Sequence, residues 1–260
     1  MSENNINAND MSFVGSNLGF EGKEAYNLLR TNILYSVKRE GRSARVIGMT
    51  SSVHGEGKSL TAINLACSIA DSGRKVLLVE CDMRLPTLRR KLGHKKCSGL
   101  SHLLAGMDPD GSFLQQNVLS EGLDVIFAGE TPPNPSELLA SSRFADLIEQ
   151  VEKDYSFIIL DLPPVCEVSD ALIVSKLTDG MIVVVRQDYS RSTDLAYAMR
   201  QLNYVNAKII GFVYNGAGSK TKRYKYKYGK SYSKSLSISI HTYCRVSMTE
   251  AGISRCPWQC

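Results

Sequence analysis

Three short stretches carry residue types at spacings that suit phosphate chemistry. The first is Gly55-Glu56-Gly57-Lys58-Ser59, a glycine-rich turn that ends in a lysine and a hydroxyl. Glycines in such a turn let backbone N–H groups close around a phosphate without a Cβ in the way. Lys58 would supply a point charge to β- and γ-phosphates, and Ser59 a hard oxygen for Mg²⁺. Gly55, Glu56, Gly57, Lys58, Ser59 and Leu60 are therefore the candidate nucleotide-binding residues, and Lys58 serves there as charge rather than as core packing. The second stretch is Val76-Leu-Leu-Val-Glu80-Cys81-Asp82, an apolar run ending in two carboxylates two residues apart. At the C-terminal end of a strand both project near the edge where α/β sheets bind ligands, so Glu80 and Asp82 are candidates for a metal or nucleophile role. The competing reading is that they cap the helix that follows. The third is Phe157-Ile-Ile-Leu-Asp161, an apolar strand whose terminal acid, downstream of a glycine loop, would order a Mg²⁺ shell.

These residues need elements to hold them. Val46-Ile47-Gly48-Met49 precedes the glycine loop as a buried strand, and Leu60, Ile63, Ala66, Cys67 and Ala70 follow it at helical steps. Strand, glycine-rich turn and helix together describe a P-loop. Ser52 stands where the usual G-x-x-x-x-G-K-[ST] spacing has glycine. Upstream, Ala25, Leu29, Ile33 and Val37 recur at four-residue steps, with Glu24, Asn27 and Arg30 on the flank. Downstream, residues 124–129 read as a strand and turn. In Thr131-Pro-Pro-Asn-Pro-Ser136-Glu137 the prolines forbid helix until Ser136 restarts one, with Leu138, Phe144, Leu147, Ile148 and Val151 on its apolar side. Helices over 169–177 and 192–205 alternate with strands over 181–185 and 208–214. Strands alternating with helices through short links predict an α/β fold: a P-loop NTPase-type, mostly parallel sheet with helices on both faces.

One domain over 21–218 suffices for 260 residues, after a loosely ordered segment 1–20 and before a basic, tyrosine-rich tail over 219–260. Hydrophobic content of 43% and charged content of 22% are ordinary for a globular protein. No apolar run approaches the length of a membrane span, and the N-terminus lacks the pattern of a signal peptide, so a cytoplasmic location is expected. The formal net charge is +5, yet Lys220, Lys222, Arg223, Lys225, Lys227, Lys230 and Lys234 alone exceed it, leaving the rest slightly acidic. Seven cysteines fall without metal-ligand or disulfide-framework spacing.

The GEGKS loop, the strand ends VLLVECDMR and IILDLPPV, the PPNPSELL segment and the tyrosine-rich tail, in this order, resemble the bacterial P-loop protein-tyrosine kinases of capsule and exopolysaccharide export. The resemblance runs from about residue 13 to 232. It implies that Lys58 and Ser59 hold ATP phosphates and Mg²⁺, and that Asp82 and Asp161 order the metal. Glu80 falls where the family has the aspartate that activates the attacking hydroxyl, and Asn215 where related ATPases contact adenine. It implies autophosphorylation on Tyr224, Tyr226, Tyr228 and Tyr232, a transmembrane activator or polysaccharide co-polymerase that recruits the kinase to the inner face of the membrane, and a cognate tyrosine phosphatase. It also implies a homo-oligomer through the helix over 24–30, weakened because Asn27 replaces an arginine between Glu24 and Arg30.

The tail alternates base and tyrosine. A flexible tail would present phenols to a γ-phosphate at high effective concentration, whereas Tyr26, Tyr35, Tyr155, Tyr189, Tyr197, Tyr204 and Tyr214 lie in or beside predicted elements and are expected to be partly buried. No nucleic-acid partner is expected. The alternative of the same fold class, a partitioning or septum-positioning ATPase, normally carries a second lysine ahead of the glycine loop, where this chain has Ser51-Ser52-Val53.

Overall fold

The apolar strand ahead of the glycine loop lies deep in the sheet. A computed structural model describes residues 14–37, 41, 43–107, 112–217 and 237–242. In it β1 (Arg45–Ser51) lies between β5 (Phe157–Asp161) and β6 (Gly180–Arg186), parallel to both. β2 (Val76–Glu80) pairs with the other side of β5, β4 (Leu123–Ile126) with β2, and β7 (Ile209–Ala217) with β6, all parallel. A two-residue strand, β3 (Leu114–Gln115), and β8 (Ser237–Thr242) add antiparallel edges, giving the order β3-β4-β2-β5-β1-β6-β7-β8.

Strand residues alternate between two cores. Ile47, Met49, Leu78, Phe157 and Ile159 point to one face, where they meet Tyr26, Leu29 and Ile33 of α1 (Phe20–Ser36) and Ile63, Leu65 and Ile69 of α2 (Lys58–Ala70). Val46, Leu77, Val79, Ile158 and Leu160 point to the other, against α4 (Leu100–Ala105), α5 (Pro135–Ala140), α6 (Ser142–Val151), α7 (Asp170–Val174) and α8 (Ser192–Tyr204). Each such side chain contributes roughly 1.5–3 kcal/mol by leaving water. The expected mostly parallel sheet with helices on both faces is the observed one.

Three local differences have physical causes. The single helix expected after Ser136 is two, broken where Ser141 takes an extended conformation and its hydroxyl bonds the Leu138 carbonyl at 2.6 Å. That helix starts at Pro135, not Ser136, with Asn134 as N-cap and the proline in the first turn, where no N–H is required. Finally, the sequence reading places no strand in the tail, yet 237–242 pairs with β7. Its serine–isoleucine alternation has the strand period, and pairing covers an edge that β7 would otherwise expose.

Candidate active site

The glycine loop leaves β1 and closes onto the first turn of α2. Gly55 and Gly57 both have positive φ, +81° and +96°. A Cβ on Gly57 would lie 2.0 Å from Asn215 Nδ2, so a side chain there is excluded by space as well as by backbone angle. Asn215, at the end of β7, donates from Nδ2 to the Glu56 carbonyl at 3.0 Å. The Glu56 carboxylate turns inward: its Oε2 accepts from Ser52 N at 2.7 Å and Val53 N at 3.1 Å, and its Oε1 from the Ser190 hydroxyl. Glu56 thus shapes the loop with its side chain rather than offering it to a ligand. Leu60 is half-buried.

Lys58 is the meeting point of the charged residues. Its Nζ lies 2.8 Å from Asp82 Oδ2 and 3.7 Å from Asp161 Oδ1, with side-chain exposures of 9%, 7% and 0% for the lysine and the two aspartates. Burial alone would lower the Lys58 ammonium, but the charges of Asp161 and Asp82 outweigh it and hold the group above its ordinary value. Burial pushes the Asp161 carboxyl up, against the pull of Lys58. Both Asp161 oxygens are buried and neither makes a hydrogen bond of good geometry among the described residues, although the Ser59 hydroxyl lies near enough to pull the carboxyl down. A carboxylate left unsatisfied beside Ser59 and Asp82 fits a hard divalent cation, which takes one or two carboxylates and fills its remaining positions with water and phosphate oxygens. No group of three or more His, Cys, Asp or Glu side chains suited to a metal occurs among the described residues.

Glu80 does not join this cluster. Its Oε1 accepts from Thr87 N at 2.5 Å and Leu88 N at 2.7 Å, at the start of α3 (Leu88–Lys91), and its Oε2 from Ala128 N at 3.1 Å. This is the helix-capping alternative that the sequence left open. Burial pushes Glu80 up to about 7, opposed by those three backbone bonds. The structure therefore brings Lys58, Ser59, Asp82 and Asp161 together and gives Glu80's oxygens to the backbone.

Several residues around the loop carry no signal in the sequence. Arg186 Nη1 donates to the Gly55 carbonyl at 2.9 Å, and the Tyr189 hydroxyl to the His54 carbonyl at 3.1 Å. Arg186 also lies over the Tyr189 ring, 5.2 Å from its centroid. On the opposite side Glu167 Oε1 accepts from His54 N at 2.8 Å. Together with Ser190 these side chains hold the loop from outside. The expectation for the non-tail tyrosines holds for Tyr26 and Tyr155, which are buried. It fails for Tyr35 and Tyr204, 85% and 87% exposed, because both sit on the solvent side of their helices. Tyr224, Tyr226, Tyr228 and Tyr232 lie outside the described residues.

The family described as an AAA domain, AAA_31, matches residues 44–209. The tyrosine-protein kinase YwqD of Bacillus subtilis is 36% identical over 197 residues, 74% of this chain and 80% of that protein. The chain belongs to the bacterial P-loop tyrosine-protein kinases. The solved kinase domain of the Escherichia coli tyrosine kinase ETK superposes with a TM-score of 0.71 at 30% identity, covering 81% of this chain and 80% of that one. The match to the putative tyrosine-protein kinase CapB of Staphylococcus aureus is 33% identical over 141 residues, 54% of this chain and 61% of the relative, so the chain spans under two thirds of that kinase. Several longer tyrosine kinases are matched over only about a fifth of their length, as with the 19% of Ptk from Acinetobacter johnsonii. The septum site-determining protein MinD of Pyrococcus horikoshii, at 23% identity and a TM-score of 0.54, shares the fold alone.

Proposed function

We propose that this chain is an ATP- and Mg²⁺-dependent protein-tyrosine kinase that phosphorylates its own C-terminal tyrosines and thereby regulates capsular or exopolysaccharide polymerisation and export. The observation that carries the reading is the buried Lys58–Asp82–Asp161 cluster beside the glycine loop, with the Asp161 oxygens unsatisfied. Lys58 and the backbone of 55–60 would bind the phosphates, Asn215 would contact the base, and Ser59, Asp82 and Asp161 would hold Mg²⁺. Bound Mg²⁺ neutralises charge on the transferring phosphoryl group. The chain's own residues then position that group and exclude water from it. Glu80 shapes the turn that carries Asp82 by holding Thr87 N and Leu88 N, and activates no hydroxyl, while domain 21–218 acts on the tail of 219–260 at Tyr224, Tyr226, Tyr228 and Tyr232.

Partners follow from the same reading. No helix among the described residues is long and apolar enough to cross a membrane. A transmembrane activator or co-polymerase subunit recruits the kinase to the inner face of the membrane, and a tyrosine phosphatase resets it. Self-association uses α1. Arg30 is held within its own chain by the Ser68 carbonyl, and Asn27 accepts from Ser68 Oγ at 3.1 Å, while Phe20, Leu28 and Tyr35 stay exposed along the helix as apolar contact area. The test is incubation with ATP and Mg²⁺ followed by mass mapping of phosphotyrosine. Mixing a Lys58→Met chain with an active chain lacking the tail should label the tail of the inactive chain. An unlabelled tail would exclude transfer between chains, and phosphotyrosine absent from every mixture would remove the kinase reading.

A further inference from the structure

Arg84 stands two residues beyond Asp82, and its side chain engages neither the glycine loop nor Lys58. Nε donates to Asp170 Oδ2 at 3.1 Å, and Nη2 to Asp170 Oδ1 at 3.4 Å and to Ser136 Oγ at 2.8 Å. The Ser136 hydroxyl in turn donates to Asp170 Oδ1 at 2.5 Å. Asp170, the first residue of α7, is fully buried, whereas Arg84 is 40% exposed. A buried carboxylate needs its charge compensated and its lone pairs filled, and a planar guanidinium fork with one hydroxyl does both in a single geometry. Ser136 belongs to the proline-rich PPNPSELL segment, for which the sequence alone offers no role beyond a rigid connector.

What this arrangement braces is the turn that carries a metal ligand. Asp82 Oδ1 accepts from Leu85 N at 3.1 Å while Oδ2 meets Lys58, and Glu80 holds Thr87 N and Leu88 N. The turn from 82 to 88 is thus tied at both ends to strand-end carboxylates and in its middle, through Arg84, to α5 and α7. We propose that Asp170, acting through Arg84 with Ser136, is a positioning residue for Asp82: it sets the orientation in which the Asp82 carboxylate meets Mg²⁺. This rests on the nucleotide–Mg²⁺ reading above and extends it to two segments distant in sequence.

The test measures binding of a fluorescent ATP analogue to the full chain, in EDTA and across a Mg²⁺ titration, with hydrogen exchange of residues 82–88 read in parallel. Outer-sphere partners of metal ligands typically carry 10- to 100-fold in metal affinity. Asp170→Asn should raise the Mg²⁺ concentration for half-maximal enhancement on the order of 10-fold, leave binding in EDTA unchanged, and speed exchange at Leu85. Ser136→Ala, which removes one hydroxyl from a half-buried site, should shift the Mg²⁺ midpoint in the same direction by less, and serves where Asp170→Asn does not fold. In an Asp82→Asn background Asp170→Asn should add nothing, since both act on one ligand. An unchanged Mg²⁺ midpoint in the folded variants, or effects of Asp82→Asn and Asp170→Asn that multiply, would overturn the proposal. No tyrosine enters the assay, so a chain that binds Mg²⁺ and nucleotide without forming phosphotyrosine would refute the kinase reading and leave this one standing.

Discussion

Lys58→Met probes the centre of the site. From the sequence, this lysine serves phosphates only, and its loss should silence transfer while sparing the fold. The structure adds a second consequence, because Lys58 Nζ is the cation that compensates Asp82 at 2.8 Å and Asp161 at 3.7 Å, all three side chains being buried. Removing one partner of a buried ion pair leaves the other charge uncompensated, which costs about 3–5 kcal/mol. Against the roughly 5–15 kcal/mol of a typical domain, that is a large fraction. The loss should depend on pH. Burial already raises the Asp161 carboxyl in the presence of Lys58, and without the lysine it rises further. A group whose folded pKa exceeds its unfolded value contributes stability that is present at low pH and lost as pH rises through the folded value. The deficit of the variant should therefore be smaller at pH 5 than at pH 8. On the proposed reading Mg²⁺ takes the place of the missing cation, so it should stabilise the variant more than the wild type in the absence of nucleotide. Urea unfolding followed by circular dichroism, in EDTA and in Mg²⁺ at both pH values, measures all three effects. A variant as stable as the wild type at pH 8 in EDTA, or equal Mg²⁺ effects on both proteins, would refute the reasoning.

Two further perturbations follow from the same geometry. Glu80, pushed up to about 7 by burial from an ordinary value of 4.5, lowers the metal-free stability of the wild type as pH rises between those values, and Glu80→Gln cannot titrate. The stability difference in favour of the glutamine variant should grow by about 3 kcal/mol from pH 4.5 to 8, and parallel stability–pH curves would count against it. Gly57→Ala places a Cβ at φ +96° and 2.0 Å from Asn215 Nδ2. It should cost about 1–2 kcal/mol in backbone strain and weaken nucleotide binding by roughly tenfold or more, whereas unchanged affinity by calorimetry would show that the loop tolerates a side chain.

The glycine loop was legible in the sequence because its geometry is local. Residues 55–59 are contiguous, their backbone angles demand glycine, and the flanking strand and helix announce themselves by period. Asp161 was legible for the same reason, as a lone acid ending an apolar run. The alternation of strands and helices sufficed for the parallel sheet. The partners of each carboxylate were decided only by tertiary structure. Glu80 and Asp82 are two residues apart, yet the chain leaves β2 at Glu80, and the turn that follows sends Asp82 to Lys58 while its own amides at 87 and 88 close on Glu80. Arg186, Tyr189 and Ser190 hold the glycine loop because β6 lies beside β1, although 131 residues separate Arg186 from Gly55. Arg84, Ser136 and Asp170 converge across 86 residues for a similar reason. Period and local angles are properties of neighbouring residues, whereas strand order is settled by how two apolar faces are buried at once, and only that order determines which distant side chains share a site.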